Sequence, residues 1–299
     1  MSTPPDRGGF LGCPDPGRMT LRGKRISFVI DRPVLVGILN VTPDSFSDGG
    51  RFLDMQNALR QGRRMVAEGA DMIDIGGEST RPGARPVAEQ EELDRVIPVI
   101  ENLRREIDRP LSIDTTKSGV ARQALAAGAD FVNDISGLAF DPDMGRTVAE
   151  AQAGLFVMHT RGRPDVMQQD TRYTDLVAEV VAALKASIER ATAAGIACDR
   201  IAVDPGIGFG KDVAGNLELL RRLADLTVIG RPIMLGTSRK SFIGRVLDQG
   251  LPEERLAGTL ATIALGYAGG ARLFRVHDVA AAREAATMAQ AICKGADGS

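Results

Sequence analysis

Asp114, Asn133, Asp204 and Arg275 each stand directly after a short apolar run, and Asp74 lies inside another. Carboxylates and an amide brought together suit a flat heterocycle that presents a row of N–H and C=O groups. Once buried, such a network is selective, because a ligand that leaves one member unpaired suffers a desolvation penalty. A second group offers positive charge and hydroxyls. Thr80 and Arg81 follow a glycine turn, Arg275 and His277 lie close together, and Lys240 sits in Ser238-Arg239-Lys240-Ser241. These are donors for an anion, above all a phosphate. Blander roles compete at each position. Asp114 before Thr115-Thr116 can cap a helix, Arg81 alone can be a solvated charge, and Lys240 can be a Schiff-base lysine or a surface charge. His159 fits a satisfied core residue as well as a functional one, whereas for His277, beside Arg275, function is favoured.

Three loops carry the densest signals. Asn40 to Gly50 (NVTPDSFSDGG) holds too many small polar residues for a simple connector, which points to contact with a heterocycle, a phosphate or a metal. Its Asn-x-Thr is a glycosylation sequon that a cytoplasmic chain makes irrelevant. Asp74 to Gly83 (DIGGESTRPG) turns tightly on glycines before presenting Thr80, Arg81 and Pro82. Asp204 to Lys211 (DPGIGFGK) invites a nucleotide-loop reading and fails it: Pro205 stands where a Walker glycine belongs and Asp212 replaces the Ser/Thr. It reads as a tight glycine loop that brings backbone close to a planar ligand.

These residues need a frame that brings strand ends together. Eight apolar runs of strand length alternate with helix-length segments, from Val34–Leu39 to Ala271–Phe274. That pattern predicts an α/β fold of the (β/α)8 TIM barrel type, a single domain whose site gathers at the C-terminal ends of the strands. Helices are expected over 54–68, 87–107, 118–127, 176–194, 215–224 and 279–292, with a broken one over 241–248 and 252–267. Alternation over 19–30 predicts a short β-hairpin that caps the barrel bottom. The barrel domain is expected over 19–294, between a flexible N-terminal tail, 1–18, and a C-terminal tail, 295–299. A doubly wound open sheet is the minority alternative.

Composition narrows the classes. A formal charge of −2 and the lack of a basic stripe argue against a nucleic-acid partner. No apolar stretch reaches membrane-spanning length and no secretory h-region is visible, so a soluble cytoplasmic protein is expected. The cysteines, Cys13, Cys198 and Cys293, are odd in number and far apart, which fits neither a disulfide framework nor a zinc site.

Taken together, the strings at 40–50, 74–83, 112–115, 133–137, 158–159, 204–211, 238–241 and 275–279 resemble the dihydropteroate synthase family of folate biosynthesis. The similarity runs from about Val34 to Ala289, with mild departures at Thr160, Thr237 and Leu273-Phe274 beside the site. The resemblance implies condensation of 6-hydroxymethyl-7,8-dihydropterin pyrophosphate with p-aminobenzoate, giving 7,8-dihydropteroate and pyrophosphate. It implies pterin contacts from Asp114, Asn133, Ile135, Met158, Asp204, Phe209, Gly236 and Lys240. Asn40, Thr80, Arg81, Arg275 and His277 would receive the pyrophosphate, and Thr80, Arg81, Pro82, Lys240 and Ser241 the p-aminobenzoate. Asp114, Lys240, Arg275 and His277 would be the catalytic groups, with Mg2+ on Asn40 as cofactor, a homodimer as the assembly and sulfonamide mimics of p-aminobenzoate as inhibitors. Three competitors remain open: a pterin-binding methyltransferase on the same barrel, a Schiff-base aldolase using Lys240, and a paralogue that binds pterin without turning it over.

Overall fold

In a computed structural model the described residues are 19–42, 50–81 and 83–295. Two short strands come first, β1 (Met19–Arg22) and β2 (Ser27–Ile30), paired antiparallel. Then β3 (Val34–Asn40), β4 (Met72–Gly76), β5 (Leu111–Asp114), β6 (Phe131–Asp134), β7 (Gly154–Met158), β8 (Ile201–Asp204), β9 (Met234–Leu235) and β10 (Leu273–Val276) form one parallel eight-stranded sheet. Its order is β8-β7-β6-β5-β4-β3-β10-β9, and a parallel bridge between Val203 and Ile233 joins the two ends. The sheet is therefore a closed barrel, as expected. Both faces of each strand are covered, which is why the runs read as nearly continuous apolar sequence.

Helices α1 (Gly50–Ala67), α2 (Glu89–Glu106), α3 (Ser118–Ala127), α4 (Met144–Glu150), α5 (Leu176–Ala193), α6 (Val213–Arg221), α7 (Ser241–Leu247), α8 (Leu256–Ala268) and α9 (Val279–Lys294) return the chain between strands. Local signals set their ends. Asp175 and Asp212 cap α5 and α6 by accepting from Ala178 N and Gly215 N. Gly128, at φ 122°, lets the chain leave α3 in a conformation other residues resist. Two expectations are corrected. The first helix begins at Gly50 rather than at Asp54, and α4 has no counterpart in the sequence reading, being too short to reveal a period.

Side chains alternate across a strand with period two, and this places the site. Val36, Met72, Phe131, Phe156, Ala202, Met234 and Leu273 point inward and pack as one buried layer. Two residues further along the same strands come Ile38, Asp74, Asn133, Met158, Asp204, Gly236 and Arg275. The polar groups thus form the next inward layer, above an apolar floor. Beneath the floor lies the hairpin, with Leu21 and Ile30 buried in that layer and Phe28 packed on it. Gly23 comes so close to the Phe131 ring that a Cβ there would fall 2.5 Å from it. The hairpin caps the bottom, as expected.

The tail expected over 1–18 and the end of the expected C-terminal tail, 296–299, lie outside the described residues. Among the described residues, no helix is long and apolar enough to cross a membrane.

Candidate active site

Arg275, inward on β10, holds carboxylates from two other strands. Its Nε donates to Asp74 Oδ2 at 2.6 Å and its Nη2 to Asp114 Oδ2 at 2.7 Å. Asn133 Nδ2 donates to the same Asp74 oxygen at 3.0 Å. The second oxygens, Asp74 Oδ1 and Asp114 Oδ1, are buried and find no hydrogen-bond partner among the described residues. Buried acceptors left open in this way are costly, and they are suited to a ligand that brings N–H groups. Burial pushes the Asp114 carboxyl up to about 7, against the pull of Arg275 and with the push of Asp74. Burial likewise raises Asp204, against the attraction of Lys240.

The opposite side is built on the glycine loop after β8. Gly206, Gly208 and Gly210 all have positive φ, at 69°, 84° and 60°. At Gly206 the requirement is absolute, since a Cβ would sit 1.8 Å from the His159 carbonyl oxygen. Asp204 Oδ1 accepts from Gly206 N at 2.7 Å, which braces the turn. Lys211 turns inward beneath the loop: its Nζ lies 2.9 Å from His159 Nδ1, 2.9 Å from Gly206 O and 2.8 Å from Phe209 O. Three ammonium donors meet three acceptors. Burial, followed by the charge of Lys211, pulls His159 down to about 3, so its ring is neutral and braces the loop. The core role weighed for His159 is the one the contacts support.

Lys240 reaches the same loop from β9. Its Nζ donates to Ile207 O and lies 4.6 Å from the Phe209 ring centre. Burial lowers it to about 8. Gly236 leaves room between these groups: a Cβ there would come 3.6 Å from Asp204 Oδ2, 3.8 Å from Arg275 Cβ and 4.0 Å from Lys240 Nζ. Ile135, Met158 and Phe209, with Met167, form a separate small apolar cluster at this level. Every residue expected to face the heterocycle is brought to one end of the barrel.

The groups expected to receive an anion are more scattered. His277 pairs through Nδ1 with Ser238 Oγ at 3.0 Å, and burial together with Arg239 and Arg275 lowers it to about 3. Arg239 grips Asp278 through two hydrogen bonds, at 2.9 and 2.5 Å, which ties the β9 and β10 loops together. Asn40 Oδ1 approaches Gly76 near Asp114 Oδ2. Thr80 is half-buried, while Arg81 and Ser241 are exposed. A cavity of about 200 Å3 opens beside Asp114, lined by Thr80, Lys117, Ile135, Phe140 and Arg163 among others. Pro82 and residues 43–49 of the first loop lie outside the described residues.

A family profile described as pterin binding enzyme matches residues 36–277. A dihydropteroate synthase from Synechocystis sp. is 52% identical over 266 residues, 89% of this chain and 90% of that protein. The chain belongs to the dihydropteroate synthase family. Two solved structures of this family, both from Xanthomonas albilineans, bear on the site. One, with 4-aminobenzoic acid, superposes with a TM-score of 0.87 at 45% identity, covering 92% of this chain and 98% of the other. The second, in complex with 7,8-dihydropteroate, gives a TM-score of 0.82 at 42% identity and covers 91% and 98%.

Within this dihydropteroate synthase fold, two structural participants escaped the sequence reading. Asp74 was noted but given no role, although it orients Arg275 and Asn133. A carboxylate two residues beyond the apolar Met72, on the same face, was the available signal. Lys211 was weighed only as a nucleotide-loop lysine, and its neutral histidine partner was invisible without the fold.

Proposed function

We propose that this chain condenses 6-hydroxymethyl-7,8-dihydropterin pyrophosphate with p-aminobenzoate to give 7,8-dihydropteroate and pyrophosphate. The observation that carries this is the row of polar groups, buried Asp114, Asn133 and Asp204 with half-buried Lys240, beside the apolar cluster of Ile135, Met158 and Phe209. The open Asp114 oxygen and the Asp204 carboxylate accept from ring and exocyclic N–H groups. Lys240 and the Asn133 amide address the ring acceptors, and Met158 and Phe209 cover the ring faces.

In this reading the C–O bond to pyrophosphate breaks first, and its electron pair leaves with the phosphate oxygen. Ionised Asp114 stabilises the positive charge left on the pterin methylene and ring. The aniline nitrogen then forms the C–N bond and releases a proton, with p-aminobenzoate held by Thr80, Arg81, Pro82, Lys240 and Ser241. Asn40, Thr80, Arg81, Arg275 and His277 receive the pyrophosphate. Arg275 carries two carboxylates, so its help to an anion is greatest while Asp114 is protonated or turned to the pterin.

Among the described residues no group of three or more His, Cys, Asp or Glu could hold a metal. Magnesium commonly takes few protein ligands plus phosphate oxygens, and the Asn40 side-chain oxygen fits that arrangement. When bound with pyrophosphate, the ion would neutralise leaving-group charge.

A homodimer is part of the same proposal. Val246, Leu265, Met288 and Ile292, all on α7 to α9, are large, apolar and exposed. The setting proposed is the cytoplasm, in keeping with Cys198, a free cysteine. The deciding experiment is pyrophosphate release with the dihydropterin pyrophosphate, Mg2+ and p-aminobenzoate, omitting each in turn. Release that depends on all three, with dihydropteroate formed, supports the proposal; pterin binding without release points to the binding-only or methyl-transfer alternatives.

A further inference from the structure

Beside the mouth lies an ion cluster that the substrate contacts above do not use. The Lys117 ammonium, at the start of α3, contacts Glu78 Oε2 and lies 2.6 Å from Glu92 Oε2. These residues come from separate segments: Glu78 from the loop after β4, Glu92 from the first turn of α2, and Lys117 from the loop after β5. Exposed ion pairs contribute little, but the Glu92 side chain is 0% exposed. A buried carboxylate without its counter-charge is strongly destabilising. Glu92 therefore fixes where the ammonium sits, and the ammonium in turn holds Glu78.

Among the described residues, the loop after β4 has few other contacts with the barrel near this point. Gly77 is pressed against α2, where a Cβ would fall 2.7 Å from Val96 Cγ1, and its carbonyl accepts from Arg95 Nη1 at 2.7 Å. Glu78 is the next anchor, and Thr80 and Arg81 follow it directly. On the other side, Lys117 N donates to Thr115 Oγ1 at 3.2 Å, and Thr115 N to Asn133 O at 3.1 Å. The bridge thus joins the segment bearing Thr80 and Arg81 to the one bearing Asp114.

We propose that Lys117 is a positioning residue for the p-aminobenzoate subsite, holding Thr80 and Arg81 over Asp114 through its bridge between Glu78 and Glu92. The proposal rests on the assignment of Thr80 and Arg81 to that substrate. Lys117 lines the cavity beside Asp114 but carries none of the substrate contacts assigned above, and in this proposal it acts through the loop.

Glu78→Gln is the informative variant, because it keeps the buried Glu92–Lys117 pair and removes only the charge that ties the loop to Lys117. The KM for p-aminobenzoate is expected to rise about tenfold, with the KM for the dihydropterin pyrophosphate changed less than about twofold, in line with the cost of small misplacements. Lys117→Arg, which preserves the charge, should retain most of the wild-type value. Wild-type KM values for both substrates in Glu78→Gln, or equal rises in both, would overturn the proposal. Hydrogen exchange over Gly77–Arg81 gives a readout independent of turnover: faster exchange in Glu78→Gln supports the tether, and unchanged exchange refutes it. Absence of p-aminobenzoate turnover in the wild-type protein would instead sink the functional reading.

Discussion

Arg275 and Asp114 meet across the barrel mouth at 2.7 Å although two strands, β3 and β4, lie between theirs in the sheet. Among the described residues the other Asp114 oxygen has no partner, and on the proposed mechanism this carboxylate is the group that meets the positive charge of a pterin cation. Asp114→Asn preserves shape and removes the charge. Turnover should fall about 100-fold, the scale of losing one preorganised electrostatic partner, while calorimetric pterin affinity falls less. Equal turnover in the two proteins would rule out this role.

The same carboxyl sets a pH dependence. Burial pushes it up to about 7, and burial pulls Lys240 down to about 8. If ionised Asp114 and protonated Lys240 are the working forms, kcat/KM climbs as pH rises through the first value and declines beyond the second. Asp114→Asn should erase the acidic limb and leave the basic one. Stability moves the other way. The folded protein holds this proton more tightly than the unfolded chain, whose carboxyl titrates near about 4, so stability declines as pH rises from there to about 7. Denaturant melts of the two proteins across that window would show the slope or its absence.

Lys211 braces rather than reacts. Lys211→Met leaves two carbonyls and the His159 Nδ1 without their donor. Release of a buried charge offsets part of that cost, and a net loss of about 2 kcal/mol is expected. Pterin affinity should fall with it, because Ile207 O and the Phe209 ring ride on this loop. Chemical denaturation and calorimetry on one preparation test both.

At the barrel bottom the expectation is stability alone. Phe131 stacks on Phe156 at 5.4 Å between ring centres and packs against the hairpin. Phe131→Ala should cost about 3–5 kcal/mol and leave both KM values unchanged. A shift in either KM would show that the floor also shapes the site.

The strand tips were legible because parallel strands buried on both faces read as unbroken apolar runs, and a polar residue after such a run stands out. Asp114, Asn133, Asp204 and Arg275 were found that way. Asp74 interrupts its run instead of ending it, so the sequence marks the residue but not its role; the period of two, counted from Met72, places it in the same layer. The Lys117–Glu78–Glu92 cluster could not be read from sequence. Its members sit in helix and loop positions where charges are usually solvated, and only the packing of α2 against the β4 loop buries Glu92 and half-buries its two partners.

The hairpin beneath Phe131 has a kinetic meaning. A barrel sealed below has one doorway, and whatever reaches the floor must enter before anything that rests above it. On the proposed assignments the pterin lies at the level of Asn133 and Asp204, whereas p-aminobenzoate rests higher, against exposed Arg81 and Ser241. Loading is then a queue, pterin pyrophosphate first, and p-aminobenzoate arriving early would stand in the way. Dihydropteroate leaves by the same doorway, so each turnover must empty the vessel before the next can fill it.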